Sequence, residues 1–248
     1  MTRIRFQQSL DELKENLLVM AGLAEQAIQR AIEAYRVRDL SICDLVSRSE
    51  NAINRLERDI DQAALDLLAM EQPMAVDLRF ILSVIKINAD LERVGDAAKS
   101  IADRVRNMEQ MAQVDLPVDI PKMASLSAEM VRKSLQAFIE ADAETARQVL
   151  TMDDAVDAMN RASYKSLTKV MEEQSHLAPQ ALNALMISRA LERVADHATN
   201  IAEDVIFWVQ GDDVRHAKSM AKQQAKAAAA KAAENAAPST TSSETSKA

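Results

Sequence analysis

The segment LERVGDAAKSIADRV at residues 91–105 recurs as LERVADHATNIAEDV at residues 191–205. Nine of the fifteen positions are identical across this offset of one hundred residues, charged positions included. Such a repeat constrains the fold more than any other feature, because one supersecondary unit must be built twice from the same local instructions. The similarity runs upstream as well. MAGLAEQAIQRAIEAY (20–35) aligns with MASLSAEMVRKSLQAF (123–138) at an offset of 103. That register pairs Asp39 with Asp142, and Glu50, Ile53 and Leu56 with Asp153, Val156 and Met159. The fall to 100 in the last segment means that the second copy is three residues shorter in one loop.

Each copy carries helical periodicity. Val84, Ile87, Leu91, Val94, Ala98, Ile101 and Val105 step by three and four, and Ala184, Ile187, Leu191, Val194, Ala198, Ile201 and Val205 repeat the pattern. Spacing of this kind is an apolar seam along one helix face. Only three glycines and five prolines interrupt 248 residues, too few for a sheet protein's turns. The pattern predicts helices over roughly 7–37, 39–70 and 76–109, then 121–140, 142–173 and 179–210. Asp39 and Asp142 are placed as N-caps and Gly211 as a C-terminal cap. Breaks this short make successive helices antiparallel. The expected fold is therefore all-α: two tandem, sequence-related three-helix up-down bundles with six long helices. The first repeat is assigned to 1–113, a Pro-containing linker (VDLPVDIP) to 114–121, and the second repeat to 122–216. The Ala/Lys-rich segment 217–248 has no apolar face to bury and is expected to be frayed or disordered.

Composition excludes several functions. Three glycines cannot supply a GxGxxG or Walker-type loop, so a phosphate cradle of the usual kind is absent. The net charge is −8, and five lysines against two glutamates give residues 217–248 a charge of +3, leaving −11 on the rest. An acidic body repels nucleic acid. No apolar run approaches the ~18 residues of a membrane span, and charged residues begin too early for a signal peptide. The lone Cys43 cannot form an internal disulfide and suits a reducing compartment. A soluble, cytoplasmic protein is expected.

The repeated phrase also carries acid. Glu92, Asp96 and Asp103 lie at i, i+4 and i+11, as do Glu192, Asp196 and Glu203. At ~100° per residue each trio falls within a narrow stripe away from the seam. Aligned carboxylates repel by roughly 0.2–0.5 kcal/mol per close pair. Two readings remain open: a solvated acidic face, or hard oxygen ligands for Mg²⁺, Mn²⁺ or ferric iron. Persistence in both copies favours the second, since residues 20–34 keep only four of fifteen identities with 123–137. Lys99, between Asp96 and Asp103, offsets part of the first stripe, whereas Thr199 leaves the second open.

The stretch AVDLRFILSVIKINADLERVGDAAKSIADRV, followed by ALERVADHATNIAEDVIFWVQGDDVRH, resembles the PhoU family over about residues 5–216. The signature is an acidic residue followed four residues later by aspartate, once per bundle: Glu92 with Asp96 and Glu192 with Asp196. The resemblance implies a cytoplasmic accessory protein of phosphate-specific transport, built as two symmetric three-helix bundles. It implies negative regulation of phosphate uptake and of the phosphate-starvation regulon, by bridging the transporter's ATPase subunit and a sensor histidine kinase. It further implies surface metal sites at Glu92, Asp96, Glu192 and Asp196, with Asp103 and Glu203 as additions on the same face. A homodimer is expected, with membrane association only through partners.

Rival readings are an enzyme or a structural helical adaptor. A di-iron bundle needs two mid-helix Glu-x-x-His motifs plus two further inward-facing glutamates; the single match, Glu173 to His176, sits at a helix end before Pro179. No catalytic residue is therefore assigned. His197 reads as a further ligand or a solvated surface residue. Arg93 and Arg193 read as ion-pair partners of neighbouring carboxylates or as contacts for an acidic partner. Asp77 reads as the cap of the third helix, and Asp77 with Arg79 as a contact for a partner. Phe207, Trp208 and Cys43 are expected in the core.

Overall fold

The computed structural model describes residues 3–215, and the tail reading at 217–248 lies outside them. Six helices follow in order: α1 (Arg3–Val37), α2 (Leu40–Glu71), α3 (Ala75–Asn107), α4 (Ile120–Glu140), α5 (Ala143–Glu173) and α6 (Ala178–Gln210). A single 3₁₀ turn, Ser175–Leu177, precedes α6, and there is no strand among the described residues. The all-α expectation holds.

The helix ends show why the chain breaks where it does. Asp39 accepts from the Ser41 amide at 2.8 Å, and Asp142 accepts from the Glu144 amide at 2.9 Å. Each satisfies an N–H that the first turn leaves without a helical partner. These bonds hold both carboxyls below the usual range, that of Asp39 through Ser41 and that of Asp142 through Thr145 first and then Glu144. Arg38 and Ala141, the residues just before the two caps, both adopt left-handed backbone (φ 56° and 51°), so the α1–α2 and α4–α5 corners are one turn built twice. Gly211 closes α6 at φ 80°, donating its amide to Phe207 at 2.8 Å. Two expectations shift. Asp77 does not cap α3: the cap is Met74, and Asp77 occupies the first turn. Pro121, assigned to the linker, is in the first turn of α4, where a missing N–H costs nothing.

Residues along α3 meet residues of falling number along α6. Arg79 Nε donates to the Trp208 carbonyl (3.3 Å), Ser83 Oγ to the Asp204 carbonyl (3.0 Å), and Asp90 meets His197 (2.8 Å). The two repeated helices therefore run antiparallel and form the spine of the body. Helices α1 and α2 pack on α3, and α4 and α5 on α6. Lys14 of α1 reaches the Ile139 carbonyl of α4 at 3.2 Å. The fourteen seam residues of α3 and α6 are all fully buried, and Ala184 among them belongs to a separate core cluster with Leu167, Val170 and Ala181. Phe80, Phe138 and Trp208 cluster at one end, with ring centroids 5.2–6.0 Å apart. Cys43 is buried as expected, whereas Phe207 and Trp208, at the last turn of α6, are only half-buried.

One difference between the copies has a packing reason. At Gly95 an added Cβ would lie 2.9 Å from Ile53 Cδ1, so α2 and α3 touch closely there. In the second copy the equivalent positions are Ala195 and Val156, both 1% exposed. One methyl has moved from one helix to the other.

Candidate functional site: two acidic grooves

The stripes do not simply face away into water. In the first bundle Glu92 of α3 lies half-buried beside α2. Burial raises its carboxyl above the usual range, and the negative charges of Asp96, Glu57 and Glu50 raise it further, against the partial relief of Arg93. Glu57 is raised by burial first and then by Asp61 and Asp96, with Arg58 opposing. Asn54 Nδ2 donates to Glu50 Oε1 at 2.8 Å. The first groove thus gathers Glu50 and Glu57 from α2 with Glu92 and Asp96 from α3.

The second groove is more crowded. Burial raises Glu192, and Asp157 and Asp153 of α5 add to it, while Arg189 and Arg193 oppose. Asp196 is pushed up to about 6, by burial first and then by Glu192, Asp153 and Asp157, with His197 opposing. Asp196 is nonetheless exposed at the surface, as is Asp96, so solvent screens much of this effect. Burial is the largest cause of each of these shifts, and carboxylates facing one another from two packed helices add to it.

The second helix of each bundle supplies half of each groove, and the stripe reasoning along α3 and α6 did not find it. The signal was present: Glu50 and Asp153 occupy the same repeat position, and both are acidic. Asp103 stands apart. It is exposed and meets Lys99 at 3.9 Å and Arg106 at 3.8 Å, the latter also binding Asp44 at 2.9 Å. Glu203 is half-buried. His197 is neither solvated nor turned to the groove. With Asp90 it is largely enclosed between α3 and α6, and Asp90 Oδ1 also accepts from Asn200 Nδ2 at 3.1 Å. Arg93 and Arg193 are exposed beside their glutamates, and no ion pair joins them among the described residues. Asp157 is paired with Arg161 at 3.0 Å. Arg79 is engaged with the last turn of α6, and the Phe207 ring lies 5.3 Å from Lys86 Nζ.

Oxygen donors with raised affinity for positive charge fit a hard cation. Among the described residues, no three such side chains already converge as a metal-binding group. The fit is one of charge and donor type, without a preformed cage.

Six helices in two sequence-related repeats, each with a cluster of carboxylates shared between its second and third helices, define the class of the protein. The PhoU domain profile matches residues 17–105 and again 120–205, and the chain belongs to the PhoU family. That family is one of regulatory accessory proteins and not of enzymes. The phosphate-specific transport system accessory protein PhoU homolog of Pseudomonas aeruginosa is 36% identical over 213 residues, covering 86% of this chain and 88% of that one. The PhoU accessory protein of Escherichia coli K12 is 30% identical over 212 residues, with coverage of 86% and 88%. The crystal structure of PhoU from Pseudomonas aeruginosa superposes with a TM-score of 0.81 at 35% identity, over 84% of this chain and all of that one. The phosphate transport regulatory protein PhoU of Streptococcus pneumoniae gives 0.78 at 29%, over 84% of this chain. No described helix is long and apolar enough to cross a membrane.

Proposed function

We propose that this protein regulates phosphate transport, restraining uptake and keeping phosphate-starvation genes silent when phosphate is abundant. It acts by contacting the ATPase subunit of a phosphate transporter and the sensor histidine kinase of the regulon. The observation that carries the reading is the match of both repeats to a family of phosphate-transport accessory proteins over most of the chain. Affinity purification from phosphate-replete cells, with crosslinking and mass spectrometry, tests it. Recovery of the ATPase or the kinase is expected; recovery of neither removes the bridging role.

The acidic grooves support a second element of the same reading, the binding of a hard cation such as Mg²⁺, Mn²⁺ or iron. Glu50, Glu57, Glu92 and Asp96 would hold it in the first groove, and Asp153, Asp157, Glu192 and Asp196 in the second. The cation would neutralise the repulsion and, by binding only the folded state, raise the melting temperature through mass action. Glu192→Ala with Asp196→Ala should abolish most of that rise in melts with and without metal. Glu92→Ala with Asp96→Ala should remove less, because Lys99 follows Asp96 in the first stripe where the second has the uncharged Thr199. A wild-type protein whose melt ignores the metal, or a double variant that responds equally, would reduce the grooves to solvated faces.

A further inference from the structure

A groove of about 210 Å³ opens between the first part of α1 and the last turns of α2, with Leu13 and Asn16 on one side and Ala63, Leu67 and Met70 on the other. It lies apart from the carboxylate clusters: Asp66 on its wall follows Glu57 by nine residues, about 14 Å of helix. Its volume is below the ~300 Å³ at which small-molecule pockets begin, so it suits one or two side chains better than a metabolite. Leu13 and Leu67 make a buried floor, whereas Met70 is 64% exposed.

The second repeat shows what such a groove takes. In the register of 103, Glu12, Leu13, Leu67 and Glu71 correspond to Asp115, Leu116, Val170 and Gln174, and these four line a groove of about 390 Å³ in the second copy. The hollow therefore comes with the repeat. In the second copy the chain supplies an apolar side chain of its own. Leu177, from the 3₁₀ turn before α6, lines that groove and packs against the cluster of Leu167, Val170, Ala181 and Ala184. In the first copy the corner between α2 and α3 supplies none, since no residue from 72 to 77 lines the groove.

The charges differ as well. Glu12, Asp66 and Glu71 line the first groove, and its lining contains no lysine, arginine or histidine. None of the three carboxylates is in an ion pair. Gln62 Nε2 donates to Asp66 at 2.8 Å, which leaves that charge intact. Arg5, one turn before Ser9, is outside the lining and pairs with none of them. In the second copy Lys169 stands where the first has Asp66, and it pairs with Glu173 at 3.7 Å. Unopposed carboxylates around an apolar floor favour a cationic segment over an acidic or neutral one.

We propose that the first groove docks a segment of a partner protein. The segment places one leucine-sized apolar side chain on Leu13 and Leu67, as Leu177 does in the second copy, and sets lysine or arginine beside Glu12, Asp66 and Glu71. An enclosed apolar anchor gives such contacts most of their affinity, and flanking charge gives specificity. The contact goes beyond the regulatory reading. If peptides fail to bind while the ATPase or kinase is still recovered from cells, that reading stands and this surface alone is wrong.

A blocked, fluorescently labelled peptide with one leucine between lysines is titrated with the full-length protein and followed by anisotropy. Saturable binding that weakens with salt is expected. Counterparts with serine for the leucine, or with glutamates for the lysines, should bind at least about tenfold more weakly. Glu12→Gln, Asp66→Asn and Glu71→Gln together, verified as folded by circular dichroism, should lower affinity about five- to tenfold, and Met70→Lys should also lower it. Removing three exposed carboxylates elsewhere, by Glu140→Gln, Asp154→Asn and Glu172→Gln, should leave it unchanged. No saturable binding, equal binding of the serine peptide, or equal effects of the two triple variants overturns the proposal. So does a concentration-dependent dimer that Met70→Lys abolishes and the peptide does not displace, which would assign the groove to a second copy of the chain.

Discussion

Replacing Asp196 by asparagine keeps shape and volume but removes the charge that the second groove tolerates least. In the folded protein the carboxyl is pushed from its ordinary 3.8 up to about 6, by burial and by Glu192, Asp153 and Asp157. A fully enclosed group so displaced would destabilise the fold by about 3 kcal/mol once ionised. Because Asp196 keeps a solvent-facing side, screening reduces this to about 1 kcal/mol. The sign follows from proton binding: between pH 3.8 and about 6 the folded state holds more protons than the unfolded chain, so stability falls as pH rises through that window. The asparagine variant has no such loss. In buffer with EDTA at pH 7.5, Asp196→Asn should therefore melt about 2–4 °C above wild type, for a body of this size. The gap should close near pH 4, where Asp196 is protonated in the folded state. Equal melts at pH 7.5, or the same gap at both pH values, would refute a destabilising Asp196 carboxylate.

The Gly95–Ile53 contact predicts a compensating pair. Gly95→Ala gains about 1 kcal/mol of helix propensity but overpacks a closed contact, and should be destabilising by about 1 kcal/mol net. Ile53→Val alone should also cost about 1 kcal/mol, while the double variant, which copies Val156 and Ala195, should return close to wild type in urea denaturation. Simple additivity would contradict the methyl-exchange reading. Across the α3–α6 spine, Lys86 Nζ lies 2.9 Å from the nearly buried carboxylate of Asp204. Lys86→Met should lower stability by about 1–2 kcal/mol by removing one partner of that buried charge; an unchanged urea midpoint would show the pair to be idle.

The helices were legible in the sequence because three- and four-residue spacing survives wherever one face is buried. Leu91, Val94 and Ala98 declare α3 as plainly as Leu191, Val194 and Ala198 declare α6. The caps Asp39, Asp142 and Gly211 were legible for a local reason, since each satisfies backbone groups within its own turn. The grooves were half legible. Glu92 with Asp96 and Glu192 with Asp196 stand four apart on one helix, whereas Glu57, Asp153 and Asp157 join them only after two helices pack antiparallel. Helical spacing describes one helix at a time and cannot rank neighbours across an interface. His197 shows the same limit. Beside Asp196 in sequence it looks like a further ligand, yet the α3–α6 crossing turns its Nδ1 to Asp90.

The regulatory role is tested most directly by deleting the gene and reading a phosphate-starvation reporter in phosphate-rich medium. The account predicts a reporter that becomes active in the deletion strain and returns to silence when the full-length protein is restored. A reporter that stays silent in the deletion strain, with normal intracellular phosphate, would contradict it.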